Sequence, residues 1–396
     1  MAERNEAYIV SAVRTAVGRR GGALSQWRPE ELLAEVLKEL VKRAKVSPEC
    51  VEDVVCGIVY QVGEQAFSVP RMAVHAAGFP DAVPGMTCNR QCGSSLSAIQ
   101  IASSMIQAGH MDCVVACGVE IMSKYPIMSD WFGLQYADGR PAGTPFGPSY
   151  MNAMGGELID QGQAAERIAK KWGLNKQDLD AFSLRSHQRA HKATVEGRFK
   201  REILPLQTKD AQGNTFLFEK DEPVRADTSM EKLASLKTVF NTEMITAGNS
   251  SPITDGASAV LLMSGKLAKQ LGIEPRARIV VNTAVGSDPK LMLTGPIQAT
   301  PKALQKAGLK LQDMDVVEIN EAFAPIPLAW GKVHKADWEK VNINGGAIAL
   351  GHPVGNSGCR LTVTALHELE RTKGRYGLIT LCTGGAMAPA TIIERI

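Results

Sequence analysis

The feature that most constrains the fold is a pair of apolar runs in which polar and apolar residues do not alternate. These runs are Val54–Val59, with the sequence VVCGIV, and Cys113–Val119, with the sequence CVVACGV. A strand that is solvated on one face alternates with a period of two, whereas a strand covered on both faces is apolar throughout. We therefore predict that both runs are strands of a sheet enclosed between layers of helices.

Helical patterns lie around these runs. Pro29 begins an amphipathic segment with Glu30 and Glu31 in its first turn, which is typical of a helix N-terminus. A second helix is predicted over residues 94–108, directly before the Cys113–Val119 run. Alternating strands and helices of these lengths predict a layered α/β fold.

The pattern of the first part of the chain recurs near its end. Arg278–Gly286 (RIVVNTAVG) resembles Tyr8–Gly18 (YIVSAVRTAVG), and Leu378–Gly384 (LITLCTG) resembles Cys113–Gly118 (CVVACG). Between the two occurrences, the chain from 122 to 251 changes to Gly- and Pro-rich loops and polar helical segments. This recurrence predicts a duplicated fold with an insertion between its two halves. Its predicted parts are a first half over 1–121, completed by about 252–273, an inserted domain over 122–251, and a second half over 274–396.

Charge and hydropathy exclude several classes of function. The chain has 396 residues, with 44 Lys plus Arg against 41 Asp plus Glu and a formal net charge of +3. This balance argues against a nucleic-acid groove and against an electrostatic membrane anchor. No apolar tract reaches the ~20 residues that cross a bilayer, and the N-terminal residues show no export signal. We therefore expect a cytoplasmic protein that acts on small molecules and binds neither nucleic acid nor membrane.

The chain carries eight cysteines, and none of them forms a C-x-x-C pair. This spacing predicts free thiols in a reducing compartment. Cys92 stands just before the helix predicted at 94–108, where unpaired amides and the helix dipole favour the thiolate. Cys92 is therefore a candidate nucleophile, with a structural core cysteine as the alternative. Cys88 is interpreted either as a core residue or as the partner of Cys92 in a regulatory disulfide.

A second candidate lies in the glycine-rich segment Gly345–Gly358 (GGAIALGHPVGNSG). Glycines permit tight turns and the close approach of a ligand to the backbone. The segment lacks the G-x-G-x-x-G pattern of a phosphate-binding loop. His352 in this setting is predicted to act as an acid or a base. The alternative is a histidine that only hydrogen-bonds within its loop.

Two further candidates lie at predicted strand ends. Cys382 precedes Gly384 and Gly385, and bare backbone amides at such a place can stabilise the negative charge that develops on a thioester oxygen. Asn320 begins the segment Asn320–Phe323 (NEAF), where its amide can orient a water or a substrate.

Taken together and in this order, these segments resemble the thiolase family of acyl-CoA acyltransferases. The resemblance covers essentially the whole chain and implies a duplicated five-layered α-β-α-β-α fold with an inserted loop domain. The matching segments are Val10–Gly18, Asn89–Ser94, Ala247–Ser251 with Asp255–Ala257, Asn320–Phe323, Gly345–Gly358 and Cys382–Gly385.

The resemblance implies a role for each candidate. In thiolases the cysteine matching Cys92 attacks an acyl-CoA with help from the histidine matching His352, and an acyl-enzyme forms as CoA leaves. The cysteine matching Cys382 moves the proton at C2 of acetyl-CoA. One oxyanion site would consist of the backbone amides of Cys92 and Gly384, and the other of His352 with a water held by Asn320.

The resemblance also implies how CoA binds. CoA is a substrate, and neither a metal nor a prosthetic group is expected. In this family the inserted domain binds CoA, so Arg225 would lie near the adenine and phosphates unless it is only a solvated surface charge. The residues implied for the pantetheine arm and the thioester end are Phe240, Ala247, Ser251, Ala322 and Phe323. A core position is the alternative for Phe240. A homodimer or homotetramer is expected, and a hydratase or dehydrogenase partner subunit remains open.

Departures from the family pattern concern the substrate. Short-chain biosynthetic members have His-Met-Gly where this chain has Asp160–Gly162 (DQG), and many members have Cys-x-Gly-Gly-Gly-x-Gly where it has Cys382–Pro389 (CTGGAMAP). Both segments would border the acyl pocket. We therefore favour a degradative 3-ketoacyl-CoA thiolase with a longer or bulkier substrate, and the alternative is an acetoacetyl-CoA-specific biosynthetic acetyltransferase.

More distant alternatives remain. A carrier-protein-dependent ketosynthase would use two histidines with its cysteine and would have no use for a second catalytic thiol at Cys382. A non-catalytic scaffold is expected to have lost the reactive pair. His187 and His191 have the i, i+4 spacing of metal ligands, but no H-E-x-x-H glutamate lies between them.

Overall fold

The computed structural model describes residues 5–209 and 212–396. Within them the strands are β1 (Ala7–Thr15), β2 (Gly18–Arg19), β3 (Asp53–Gly57), β4 (Gly85–Cys88), β5 (Cys113–Ile121), β6 (Ile203–Leu204), β7 (Leu206–Lys209), β8 (Thr215–Phe218), β9 (Thr254–Ser264), β10 (Ala277–Gly286), β11 (Val316–Ile319), β12 (Tyr376–Thr380) and β13 (Met387–Arg395). The helices are α1 (Pro29–Ala44), α2 (Val69–Ala76), α3 (Ser94–Gln107), α4 (Pro148–Ala153), α5 (Gln161–Lys171), α6 (Lys176–Val195), α7 (Met230–Ala234), α8 (Gly265–Leu271), α9 (Gly295–Ala307), α10 (Pro325–His334), α11 (Ala347–Leu350) and α12 (Ser357–Thr372).

One mixed sheet forms the framework of the molecule. Its strand order is β11-β12-β13-β10-β1-β9-β5-β3-β4, with β2 paired to β9 and β6 paired to β1. Strands β10 and β1 share only the pairs Tyr8–Arg278 and Ile9–Ala277. This narrow junction divides the sheet into two halves.

The two halves repeat the same topology, as the sequence repeat predicts. In the first half, β4, β3 and β5 are mutually parallel, and β9 and β1 follow antiparallel. In the second half, β11 and β12 are parallel, and β13 and β10 follow antiparallel. The bridge from Val317 to Val341 occupies the place that β4 holds in the first half.

Helices cover both faces of each half-sheet. Helices α1 and α2 pack on the outer face of the first half, and α9 and α10 cover the second. Helices α3 and α12 pack against each other between the two half-sheets. The layers therefore follow the predicted α-β-α-β-α order. Strands β3 and β5 are buried along their whole length, which explains why their sequences do not alternate.

The segment between β5 and β9 is fastened to the sheet by a buried arginine. The Nε atom of Arg14 on β1 lies 2.6 Å from a carboxylate oxygen of Glu202, and its Nη1 atom lies 2.7 Å from one of Asp221. All three side chains are almost fully buried. Strand β6 also joins β1 at Arg14 and Thr15. The N-terminal motif thus attaches this segment to the core.

A search for membrane-spanning helices among the described residues finds none that is both long and apolar enough.

Candidate active site

Cys92 lies in the tight turn that joins β4 to α3. Gln91 takes a left-handed φ of 49°, and the Gly93 amide donates to the Arg90 carbonyl at 3.0 Å. Ser94 strengthens the turn, because its hydroxyl donates to the Gln91 carbonyl and accepts from the Arg90 amide. The cysteine is thereby held just before the first residue of α3, with only 5% of its surface exposed.

The first turn of α3 is locked in place by close backbone packing. A Cβ atom on Gly358 of α12 would lie 2.1 Å from the backbone nitrogen of Leu96, and one on Gly57 would lie 2.2 Å from that of Ser95. No side chain fits at either position. The two neighbouring elements therefore fix where α3 begins, and with it the position of Cys92.

The electrostatics of Cys92 contradict the expectation of a resting thiolate. Burial raises the pKa of its thiol to about 11, and hydrogen bonds from the backbone N–H groups of Gly384 and of Cys92 itself offset only part of this effect. Desolvation of the charged sulfur outweighs the helix terminus. The free protein accordingly holds Cys92 as a thiol, which would need a base in order to act as a nucleophile.

His352 is oriented by three hydrogen bonds. Its backbone N–H donates to the Thr254 hydroxyl at 2.8 Å, its Nδ1 lies 2.6 Å from Ser357 Oγ, and its Nε2 lies 3.2 Å from Asn320 Nδ2. The Ser357 hydroxyl donates to the Pro353 carbonyl, so it accepts from Nδ1–H. Nε2 then carries the lone pair. Burial and, secondarily, Arg360 lower the pKa of His352 to about 3, which keeps the ring neutral.

Asn320 connects His352 to the second cysteine. The side chain is fully buried, and its Oδ1 has no hydrogen-bond partner in the described part of the chain. Burial and the neighbouring Cys92 raise the pKa of Cys382, while the Asn320 side chain acts in the opposite direction. The structure thus gathers Cys92, Cys382, Asn320, His352 and Gly384 at one place. Within the described residues no hydrogen bond joins His352 directly to Cys92.

Two polar residues of this site escaped the sequence analysis. Ser357 lies inside the quoted glycine-rich segment, but only the fold shows that it holds His352. Glu120 ends the apolar run of β5, and its carboxylate accepts from the backbone amides of Val59, Tyr60 and Gly355 at 2.9–3.1 Å. A carboxylate at the end of a buried strand is the signal that could have revealed it.

Glu120 braces the loop that carries His352. A Cβ atom on Gly355 would lie 2.3 Å from its carboxylate, so the loop and the acid are packed in direct contact. Burial raises the pKa of Glu120 to about 7, although four hydrogen bonds favour its charged form. Its charge also contributes to the raised pKa of Cys92.

Four of the residues implied for CoA form one wall beside this cluster. The rings of Phe240 and Phe323 meet edge to face at 5.9 Å, and the Ser251 amide donates to the Ala322 carbonyl at 2.9 Å. Phe240 is 45% exposed, so the alternative of a core position is wrong. Ala247 begins a short 3₁₀ turn in the same segment and is exposed.

Arg225 is exposed, and its backbone N–H donates to His187 Nδ1 at 3.2 Å. His187 is buried, and burial together with Arg225 lowers its pKa to about 4, whereas His191 is exposed. The two histidines therefore do not converge on one point. No group of three or more potential metal ligands occurs among the residues that the structure describes.

All eight cysteines are free in the structure. Cys88 is half-buried, and its thiol lies 3.4 Å from the Ser94 carbonyl oxygen. Burial raises its pKa to about 12. These features describe a packed thiol, not an activated one.

The chain is similar to known proteins over almost its whole length. The family model for the thiolase N-terminal domain matches residues 7–266, and that for the thiolase C-terminal domain matches 273–395. A steroid 3-ketoacyl-CoA thiolase of Mycobacterium tuberculosis is 46% identical over 392 residues, covering 99% of this chain and 94% of the relative. A 3-oxoadipyl-CoA/3-oxo-5,6-dehydrosuberyl-CoA thiolase of Escherichia coli is 41% identical over 401 residues, covering 99% and 100%. The crystal structure of the Bacillus anthracis acetyl-CoA acetyltransferase matches with a TM-score of 0.90, 40% identity and full coverage of both chains.

Proposed function

This chain belongs to the thiolase family of acyltransferases, and from that premise we propose that it cleaves a 3-ketoacyl-CoA with CoA through an acyl-Cys92 intermediate. The observation that carries the proposal is the buried cluster in which Cys92 meets the Gly384 amide while Asn320 links His352 to Cys382. Nucleophile, base, proton donor and oxyanion groups are thus all present at one place.

In the first half-reaction the Cys92 thiol gives its proton to His352 Nε2, and the sulfur bonds to the C3 carbonyl carbon. The C2–C3 bond then breaks, the acyl group stays on Cys92, and the electron pair remains on C2 of an acetyl-CoA enolate. Cys382 donates its proton to C2, and acetyl-CoA leaves. The lone pair on Nε2 and the protonated state of both thiols in the free protein support this assignment.

In the second half-reaction the thiol of free CoA gives its proton to the Cys382 thiolate and attacks the acyl carbonyl carbon. The bond between that carbon and Cys92 breaks, and the sulfur recovers its proton from His352. The products are acetyl-CoA and a shortened acyl-CoA, and every group returns to its starting protonation state.

Both half-reactions develop negative charge on a carbonyl oxygen. We assign the oxygen of the Cys92 adduct to the backbone amides of Cys92 and Gly384, and the enolate oxygen to His352 and a water held by Asn320. The unpartnered, buried Oδ1 of Asn320 supports the second assignment, since a water can donate to it. The scheme uses CoA as a substrate and requires neither a metal nor a prosthetic group.

We further propose that the wall of Phe240, Phe323, Ala322 and Ser251, together with Ala247, lies along the pantetheine arm and thioester, with Arg225 near the phosphates. Aromatic rings and backbone edges suit a narrow apolar arm, and an exposed guanidinium suits phosphate. This placement rests on the contacts of the wall and on the family resemblance.

The nucleophile is tested by trapping the intermediate. After incubation with [¹⁴C]acetyl-CoA and acid quenching, the native protein should retain label close to one equivalent per chain, and Cys92→Ala should retain none. Cys88→Ala is the matched control, because it removes a packed thiol four residues away and should label normally. Full labelling of Cys92→Ala would refute the assignment.

The role of Cys382 needs a different measurement. Cys382→Ser should still form the acyl-enzyme but should lose the exchange of the acetyl-CoA C2 protons with deuterated solvent, because a hydroxyl is a far weaker acid–base than a thiol. Exchange at the native rate would assign the proton transfer to another group.

For the substrate we propose the degradative direction with an acyl group longer or bulkier than acetoacetyl. The relatives named above as steroid and 3-oxoadipyl-CoA thiolases support this choice, as does Gln161, whose side chain lies next to Gly384 where short-chain members have a different segment. Thiolysis rates across 3-ketoacyl-CoA substrates of four carbons, sixteen carbons, a dicarboxylic chain and a ring system test it. A kcat/KM that is highest for acetoacetyl-CoA would instead support the biosynthetic acetyltransferase.

We also propose that the protein is a cytoplasmic homodimer or homotetramer. Light scattering after size-exclusion chromatography measures the assembly directly. Copurification from the native host shows whether a hydratase or dehydrogenase subunit accompanies it.

A further inference from the structure

A cavity of ≈ 380 Å³ opens beside the junction of the two half-sheets. Strand β1 pairs with β10 only at Tyr8 and Ile9 and with β6 only at Arg14 and Thr15. Among the described residues no strand pairs with the stretch between these two contacts on that side, and the cavity lies against it. Its polar lining consists of Ser11, Arg43, Lys200, Arg201, Arg276 and His367.

The lining is strongly cationic, and none of the described residues that form it is acidic. Arg43 is paired with Glu39, and both Arg276 and Arg201 are paired with Glu370. Four positive side chains are thus balanced by only two carboxylates, which leaves about two positive charges facing the cavity. Charge complementarity therefore favours a dianion.

Two of the arginines are held in fixed positions. Arg276 donates from Nε and Nη2 to the two carboxylate oxygens of Glu370 at 2.7 and 3.0 Å. Its Nη2 also lies 3.0 Å from His367 Nε2. Arg43 donates to the carbonyls of Arg201 and Ile203, so both guanidinium planes are oriented before any ligand binds.

Ser11 supplies an independent indication of a ligand. Ser11 is one of the residues that line the cavity and is 1% exposed, and its Oγ has no hydrogen-bond partner in the described residues. A buried hydroxyl without a partner is unfavourable and uncommon. An acceptor oxygen of a ligand in the cavity would satisfy it.

We propose that this cavity is a binding site for a phosphate group, carried either by free phosphate or by a small phosphomonoester. A phosphate carries nearly two negative charges at neutral pH and presents three acceptor oxygens, which suit guanidinium and hydroxyl donors. The cavity has the size of a small-molecule site, which exceeds what one phosphate needs and favours the ester. None of its lining residues belongs to the candidate active site.

The site is tested by isothermal titration of the full-length protein at constant ionic strength, with inorganic phosphate in one arm and glycerol 3-phosphate in the other. Saturable binding of one equivalent per chain is expected. Tighter binding of glycerol 3-phosphate identifies an ester as the ligand, and equal affinity identifies the phosphate group alone.

Ser11→Ala tests whether phosphate binds in this cavity and not elsewhere on the protein. It should weaken both ligands about tenfold by removing one hydrogen bond to a charged group, without lowering the melting temperature of the ligand-free protein. Thr283→Val is the matched control, since Thr283 Oγ1 is also buried without a partner but does not line the cavity. Equal affinities of these two variants, or no saturable binding, would overturn the proposal.

The charge requirement is tested at an exposed position. Lys200→Gln should weaken phosphate by about three- to fivefold, as expected for one exposed charge. Lys266→Gln on α8 removes the same charge away from the cavity and should leave the affinity unchanged. An equal loss of phosphate affinity in both variants would mean that only the net charge of the protein matters, and it would contradict a defined site.

Discussion

Cys92 illustrates how burial controls reactivity at the level of one residue. The amides at the start of α3 and at Gly384 favour a thiolate, but desolvation is larger and raises the thiol pKa to about 11. Burial lowers the pKa of His352 to about 3. Both groups are therefore neutral in the free protein, and in the reaction that we propose charge develops only after the substrate binds.

The raised pKa of Cys92 predicts how alkylation depends on pH. Only the thiolate reacts with iodoacetamide, so modification of Cys92 in the free protein should accelerate about tenfold per pH unit from pH 7 to pH 9. Mass spectrometry of the Cys92 peptide measures the rate. Cys88, with a pKa of about 12, should react still more slowly in the same sample. A Cys92 rate that levels off below pH 8 would contradict the raised pKa.

Ser357 is a positioning residue for His352. Ser357→Ala removes the acceptor of Nδ1–H and should lower kcat by about tenfold or more, because misorientation of a catalytic group is costly, with little change in the KM for CoA. Steady-state thiolysis assays provide both constants. Thr362→Val is the matched control, since Thr362 makes the same type of hydroxyl bond on α12 without touching His352. Equal losses in both variants would indicate a general effect on α12.

At the level of elements, short polar links join the segment between β5 and β9 to the core. Glu321, next to Asn320, accepts from Ser186 of α6 at 2.7 Å and from Asn342 at 2.8 Å. A second link is made by Arg14 of β1, which donates to the carboxylates of Glu202 and Asp221. The segment that carries Arg225 and Phe240 is thus held both to β1 and to the residues after β11, next to Asn320.

Arg14→Ala tests the second of these links. It would leave two buried carboxylates without their counter-ion, so we expect a loss of about 3–5 kcal/mol in the free energy of unfolding. Urea denaturation measures it, and limited proteolysis should cut first between residues 122 and 251. Arg19→Ala is the control, because Arg19 is 69% exposed and its ion pair with Glu222 should contribute less than about 1 kcal/mol. Similar losses for both variants would refute the anchoring role.

For the whole molecule, buried ionisable groups predict how stability depends on pH. Burial raises the pKa of Asp255 to about 6, of Glu120 to about 7 and of Glu318 to about 8. The stability these groups contribute is present below their unfolded pKa of about 4 and is lost as pH rises through the folded values. Burial lowers the pKa of His352 and His187, so their contribution is lost as pH falls below about 6.5.

Between pH 7 and pH 8.5 the two histidines no longer change the stability, but the carboxyl groups named above still do. The carboxyl groups should therefore lower the free energy of unfolding by about 1–2 kcal/mol across this interval, and the buried thiols with raised pKa values, such as Cys92 and Cys88, should lower it further. Urea denaturation at fixed protein concentration measures the change. Glu318→Gln should show a smaller fall, because its amide does not ionise as the pH rises through the folded pKa of Glu318. Stability that rises over this interval would contradict the raised values.

Much of the architecture can be predicted from the sequence because it depends on the pattern of neighbouring residues along the chain. The unalternating runs of β3 and β5 predict strands covered on both faces, and the structure confirms them. The recurrence of Tyr8–Gly18 in Arg278–Gly286 predicts the duplication, since similar short segments form similar elements. The candidate site residues can be singled out in the sequence because each lies in a short motif, and the order of the motifs indicates the family, which the comparisons confirm.

The tertiary structure decided what depends on burial and on contacts between distant residues. The position of Cys92 just before a helix predicts a thiolate, but only the packed site shows that desolvation raises its pKa more than the backbone hydrogen bonds lower it. Arg14 and Asp221 are 207 residues apart, and no local pattern pairs them. Ser357 could be matched to His352 only once the loop path was known. Local propensity determines which elements form, whereas the sign of a pKa shift and the partner of a buried charge depend on the surroundings that folding creates.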